Sequence, residues 1–206
     1  MKVFLATKNK GKIKDFEKLT EGMDLEVITI LDGLDIPDVV EDGETFEENS
    51  RKKAKEIADY TNIVTISDDS GLCVDALEGL PGVYSARFAG EEKNDAANNA
   101  KLLSELGGLK GKERAAHFTC CLVLAAPFQE SLVVQAECHG EIATLPSGDS
   151  GFGYDPLFLV PEYQKTFAEL GMDIKNKISH RAKAIELLVE KWEHWTNSLG
   201  AVEETE

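Results

Sequence analysis

Apolar positions along this chain come in short blocks of four or five residues and then at spacings of three to four, the pattern of strands followed by helices. Val3 to Ala6 reads as a short strand, Thr7 to Gly11 as a polar loop, and Ile13, Phe16 and Leu19 as the inner stripe of a helix from about Lys12. A second strand is expected near Leu25 to Ile30, and the acidic stretch Asp32 to Gly43, which contains Pro37, reads as loop. Thr45 with Glu48 three residues on makes a capping box for a helix reaching about Tyr60. Ile63, Val64 and Ile66 predict a buried strand over 63–67 that passes into a loop at Asp68-Asp69, with a turn at Leu80-Pro81-Gly82. Asp95 caps a helix to about Leu106, stopped by Gly107-Gly108. Residues 115–126 and 131–140 read as strands around a turn near Pro127, and 141–145 extend the sheet. The last helix spans about Ser179 to Trp195, with Ala182, Ile185, Leu188, Val189 and Trp192 on one stripe. No repeat or linker interrupts this order, so the expected fold is a single α/β domain over 1–206, with a mixed central sheet flanked by helices and an acidic tail, frayed from about 197.

Composition narrows the function. With 42% hydrophobic and 29% charged residues, the 206-residue chain has the makeup of a globular domain able to bury a sizeable core. Its net charge of −16 argues against a nucleic-acid polymer as partner, because phosphate backbones call for a basic face. A small polyphosphate stays compatible if basic side chains are local and a cation assists. Cys73, Cys120, Cys121 and Cys138 show neither a CxxC pair nor zinc spacing, and Cys120-Cys121 sit in an apolar run, as reduced core thiols do. No apolar stretch is long enough for a membrane span, and VFLA is too short for a signal peptide, so a cytoplasmic protein without a membrane partner is expected.

Four stretches carry candidate chemistry. ATKNKGK lies between strand and helix, where backbone N–H groups face an anion, and Lys8, Lys10 and Lys12 add charge. It is no P-loop: Leu5 or Ala6 replaces the first glycine and Ile13 replaces the magnesium-binding Ser/Thr. A solvated basic loop is the alternative. Asp68 and Asp69, joined by an acidic residue of 41–48, would make an oxygen-rich magnesium site, or else an ordinary acidic turn. GFGYDPLF offers rings to stack on a base, although Phe152, Tyr154 and Phe158 also suit the core. KNKISHRAKA puts Lys175, His180 and Arg181 at a helix start, an unusual place for cations unless they meet an anion or carbonyl. GDSG at 148–151 matches a protease motif by chance, because the chain lacks the run of β-strands that such a fold requires.

Taken together and in order, ATKNKGK, TFEEN at 45–49, the segment Ser67 to Gly90, GFGYDPLF and KNKISHRAKA resemble the inosine triphosphate pyrophosphatase family over about residues 1 to 190. The resemblance implies two lobes around a nucleotide cleft, a homodimer, and Mg2+-dependent hydrolysis of ITP, dITP and XTP to monophosphate and pyrophosphate. It assigns Thr7, Asn9 and Lys12, with Lys8, Lys10 and Gly11 beside them, to the triphosphate. Asp69 becomes magnesium ligand and proton acceptor, Glu41 a second metal ligand, and Ser70 a substrate contact. Phe152, Gly153, Tyr154 and Asp155 line the nucleotide site, and Lys175, His180 and Arg181 bind substrate, with the arginine near the purine 6-position. A carboxylate of ordinary pKa, ~4, is a weak base. Physical reasoning therefore favours metal positioning for Asp69, with Asp68 a further ligand and either Asp68 or a cation-bound hydroxide sharing the proton work. Two other readings stay open: a pyrophosphatase for other modified nucleotides, and a nucleotide-binding module without turnover.

Overall fold

The computed structural model describes residues 1–23, 25–33 and 36–200; the acidic tail from 201 lies outside the described residues. In chain order the strands are β1 (Lys2–Leu5), β2 (Glu26–Thr29), β3 (Thr65–Val74), β4 (Ala115–Ala125), β5 (Leu132–Ile142), β6 (Phe158–Val160) and β7 (Lys165–Thr166). The helices are α1 (Lys10–Leu19), α2 (Phe46–Thr61), α3 (Asp95–Glu105), α4 (Phe167–Ile178) and α5 (His180–Gly200). The strands form one sheet in the order β2-β1-β3-β4-β5-β6-β7. β1 runs parallel to β2 and β3, while β5, β6 and β7 run antiparallel, so the sheet is mixed as expected.

The chain divides into two compact units. The first takes Met1–Asp69, Cys120–Ala136 and the chain from Lys183 onward. Alternation along its strands sends side chains to opposite faces, and each face has its own helices. Val3, Leu5, Cys120, Leu122 and Leu124 pack with Ile13 and Phe16 of α1 and with Ala184, Ile185 and Leu188 of α5. Phe4 and Ala6 pack with Ile57 of α2, and Cys121, Val123 and Ala125 with Ala54 and Ala58 of the same helix. Adjacent Cys120 and Cys121 thus serve two cores. Neither is in a disulfide, and burial pushes the Cys121 thiol up to about 12. On α5, Leu188 is buried as expected, whereas Val189 is 44% exposed and leaves the predicted stripe.

The second unit takes Ser70–Thr119 and Glu137–Ala182. Its core joins Leu72, Val74, Ala116, Phe118, Cys138 and Ile142 from strands to Leu102 of α3, Leu106 at its end and Phe167 of α4. Phe158 lies 4.7 Å from Phe118 and 4.9 Å from Phe167, ring centre to ring centre. Removing a ring of this kind costs about 3–5 kcal/mol.

Several elements depart from the sequence reading. β3 does not stop at residue 67 but continues through Asp68, Asp69 and Ser70 to Val74. The N-cap of α3 is Asn94, whose side chain accepts the Ala97 N–H, and not Asp95. β5 ends at Ile142, so 143–145 add nothing to it. β6, β7 and α4 were not anticipated; α4 is hidden by Gly171, whose φ of 74° breaks its helical period. α5 runs on past Trp195 to Gly200. Among the described residues, no helix is long and apolar enough to cross a membrane.

Candidate active site

In the first unit the candidate chemistry gathers on β3. Neighbouring residues of a strand point to opposite faces, so the two carboxylates part company. Asp68 turns to the α1 side: Lys12 Nζ donates to its Oδ1 at 2.7 Å and to its carbonyl at 3.2 Å, and Cys120 Sγ lies 3.7 Å from its Oδ2. Asp69 turns to the α2 side and hydrogen-bonds Asn49. Asp68 and Asp69 therefore do not share a face of the strand, and among the described residues no three acidic, histidine or cysteine groups are arranged around a common metal position.

Asp69 is the unusual group. It is buried, and its Oδ2 finds no hydrogen-bond partner among the described residues. Burial is the first cause that holds its carboxyl above the ordinary range. The charges of Lys12 and Lys53 and the Asn49 hydrogen bond pull the other way, while the Glu41 carboxylate adds to the rise. A buried anion with an idle oxygen costs free energy unless a ligand completes it. Glu41 itself is paired with Lys53 of α2.

The loop that carries Glu41 is tied to this point by Asn49. Its Oδ1 accepts the Gly43 N–H at 2.8 Å, and a Cβ at residue 43 would fall 2.9 Å from that oxygen and 2.7 Å from Glu48 Cβ. Only glycine fits there. Glu48 is a capping residue, as read: its Oε2 accepts the Thr45 N–H while Thr45 Oγ1 accepts the Glu48 N–H.

The Thr7–Lys12 loop is organised by its own side chains. Thr7 Oγ1 accepts the Asn9 N–H, and Asn9 Oδ1 accepts the Gly11 and Lys12 N–H groups at the start of α1. Asn9 is therefore a helix cap, and Lys12 is the one lysine of the loop that reaches β3. Lys8 pairs with exposed Asp38, and Lys10 is exposed on the first turn of α1. Asn49 and Lys53, four residues apart on one face of α2, were missed by sequence reasoning. The available signal was a polar Asn inside TFEEN at a buried helical position.

The second unit gathers the remaining candidates. Lys175 is buried against Asp155 Oδ2 at 2.6 Å, and its ammonium lies 4.6 Å from the centre of the half-buried Phe152 ring. Arg181, also buried, donates to Ser70 Oγ at 3.3 Å and stands 6.0 Å from the same ring. Asp155 Oδ2 accepts the Phe152 N–H as well, which closes the turn. Ser179 Oγ accepts the Ala182 N–H and caps α5, so Arg181 sits on the first turn of that helix.

Tyr154 and His180 have structural places. Tyr154 is in the core, its hydroxyl donating to the Ser85 carbonyl at 2.7 Å, and burial raises its pKa. The ring of His180 stacks on Phe118 at 4.7 Å. Gly153, with φ of 61°, turns the chain between Phe152 and Tyr154.

The model of the Ham1 family matches residues 3–191 of the chain. A dITP/XTP pyrophosphatase of Geobacillus kaustophilus is 50% identical over 201 residues, covering 98% of both chains. In structure the chain is similar to the Ham1 protein of Staphylococcus aureus, with a TM-score of 0.84 at 44% identity over 94% of this chain and 99% of that one. A Ham1 protein from Coxiella burnetii gives 0.86 at 37% identity, with the same 94% and 99% coverage.

Proposed function

The chain belongs to the Ham1 family, and from that premise we propose that it hydrolyses the deaminated purine nucleotides ITP, dITP and XTP to monophosphate and pyrophosphate with the help of Mg2+. One observation carries the reading: Asp69 is a buried carboxylate with an oxygen that has no partner among the described residues, and it feels the charges of two lysines and a second carboxylate. Such a group is costly to a protein that only folds and useful to one that binds a cation or accepts a proton.

Asp69 and Glu41 would hold the magnesium, since it takes one or two carboxylates and completes its shell with phosphate oxygens and water. When bound, it offsets charge on the triphosphate and on the leaving pyrophosphate. Lys12 and Lys53, whose charges both act on Asp69, add positive potential for the phosphates. Thr7 and the amides beside Asn9 orient them, with Lys8, Lys10 and Gly11 on the same loop.

Asp69 also accepts the proton of the attacking water. Its Oδ2, which finds no hydrogen-bond partner among the described residues, is the oxygen open to that proton. The new bond joins the water oxygen to the α-phosphorus, the bond from that phosphorus to the bridging oxygen breaks, and pyrophosphate departs. Asp68, held by Lys12, positions that lysine.

For the base, the reading assigns Phe152 as the stacking ring and the Arg181 and Lys175 cations as hydrogen-bond donors to a 6-carbonyl. Ser70 orients Arg181, Asp155 orients Lys175, and His180 and Tyr154 support them. Adenine offers an amino donor at the same position, so buried donors would be left unpaired against ATP, a mismatch that costs orders of magnitude in rate. A homodimer in the cytoplasm belongs to the same reading, and sedimentation tests the first part of it.

The test is pyrophosphate release from ITP, dITP, XTP, ATP and dUTP, with Mg2+ and with EDTA. Fast, Mg2+-dependent release from the first three is expected. Preference for dUTP would reassign the substrate, and no release from any of them would sink the catalytic reading.

A further inference from the structure

Of the elements around the Phe152–Asp155 turn, α3 makes contacts that the proposed chemistry does not use. Asp95 and Asn99 stand four residues apart, on one face of that helix. Asp95 Oδ2 accepts the Gly153 N–H at 2.8 Å, and Asn99 Nδ2 donates to the Gly153 carbonyl at 2.9 Å. Both backbone groups of one turn residue are thus taken by two side chains of one helix. Asp95 does not cap its own helix, because Asn94 does that. The same helix fixes a second segment: Asn98 accepts the Ala89 N–H and donates to the Ala86 carbonyl.

We propose that Asp95 and Asn99 form a clamp on Gly153 that positions the Phe152 ring for base recognition. Neither residue touches substrate in this account; both are positioning residues, and the proposal rests on the reading of Phe152, Lys175 and Arg181 as the base site. Gly153 sits at positive φ, a conformation in which the flanking residues have little steric guidance from a side chain. Something outside the turn must therefore fix its orientation. The Asp155 carboxylate holds one side through the Phe152 N–H, and α3 holds the other. With both holds in place, Phe152 faces Lys175 at 4.6 Å. A ring fixed beforehand binds a base without the entropic cost of ordering.

The sharpest variant is Asn99→Asp, which keeps shape and replaces the donor with a carboxylate oxygen facing the Gly153 carbonyl. Asp95→Ala removes the other half of the clamp, and Asp95→Asn retains an acceptor for the Gly153 N–H. We expect Asn99→Asp and Asp95→Ala to raise KM for ITP about tenfold, the scale of one lost hydrogen bond. The kcat should stay within about twofold, the preference for ITP over ATP should shrink by the same factor as KM rises, and Asp95→Asn should behave as the parent. An unchanged KM and preference in both damaging variants would overturn the clamp, as would an Asp95→Asn protein as impaired as Asp95→Ala. A fall in kcat on ITP and ATP alike, with no change in preference, would mean a merely structural role and overturns it too.

Two further readouts do not depend on turnover. The Gly153 amide should lose hydrogen-exchange protection in Asp95→Ala, and the ITP-induced rise in melting temperature should shrink in both damaging variants. If the parent releases no pyrophosphate, the proposed activity fails on its own; an ITP-induced rise equal in all four proteins, or absent from the parent, overturns the clamp.

Discussion

The two groups of candidate residues differ in how far their polar groups satisfy one another. In the first unit, Asp69 keeps an oxygen with no partner among the described residues in a buried position, and burial raises its carboxyl above the ordinary range. In the second, Lys175 and Asp155 satisfy each other, Arg181 reaches Ser70, and both backbone groups of Gly153 are taken. The difference follows the chemistry each has to perform. Phosphates and a divalent ion bring strong charge, so a carboxylate can wait for it at some cost in stability. A purine brings only weak dipoles and a flat face, and its selection requires donors and a ring that are already in place.

That contrast can be broken most forcefully at Asp69. Asp69→Asn keeps the shape and the Asn49 contact but removes the charge and the proton acceptor. We expect pyrophosphate release to fall by about 10³-fold, within the range for loss of an acid–base group and a metal ligand, while ITP still raises the melting temperature. Near-parent turnover would remove Asp69 from the reaction. In the second group the corresponding cut is Asp155→Ala. It strands the buried Lys175 ammonium and should cost about 3–5 kcal/mol of stability in denaturant unfolding. A loss under about 1 kcal/mol, the value of an exposed ion pair, would show that the base site is not prebuilt.

Legibility in the sequence follows the same division. β1, α2 and α5 were readable because their apolar residues repeat with a clear period and, in α2, because Thr45 and Glu48 announce the start. The carboxylate pair was readable as chemistry but not as strand. Asp-Asp-Ser-Gly has the composition of a turn, yet β3 runs through it, with Lys12 satisfying Asp68 from one face and Asn49 meeting Asp69 from the other. Such partners are distant in sequence, so no local pattern reports them. The same holds for Lys53, whose partner Glu41 lies in an irregular segment twelve residues earlier. Asp95 was misread for the opposite reason: its position suits a cap so well that nothing in the sequence suggests a bond to Gly153.

A smaller effect sharpens the comparison through pH. The carboxyl of Asp69 titrates above its unfolded value, so across the window between the two the native state binds the proton more readily than the unfolded chain. Stability from this group is present below the unfolded pKa and is lost as pH rises through the folded one. In EDTA, Asp69→Asn should therefore melt a few degrees above the parent at neutral pH, and the gap should close as pH falls below the folded pKa of the parent carboxyl. Adding Mg2+ should raise the parent and leave the variant where it was. Melting curves of both proteins from pH 4 to 8, with and without the ion, check all three statements, and a variant that melts lower at neutral pH would contradict the cost assigned to the idle oxygen.

The smallest expected change is at Lys8, whose pairing with Asp38 is exposed on both sides. Exposed pairs contribute little, so Lys8→Ala should leave the melting temperature within about a degree of the parent. Its reach toward β3 is also poorer than that of Lys12, which already donates to Asp68. Lys12→Ala should raise KM for ITP by about tenfold or more, and Lys8→Ala by less than about threefold at physiological salt. Equal effects from the two lysines would mean that the loop acts as a diffuse positive field. An effect confined to Lys12 ties phosphate binding to the side chain that β3 already holds in place.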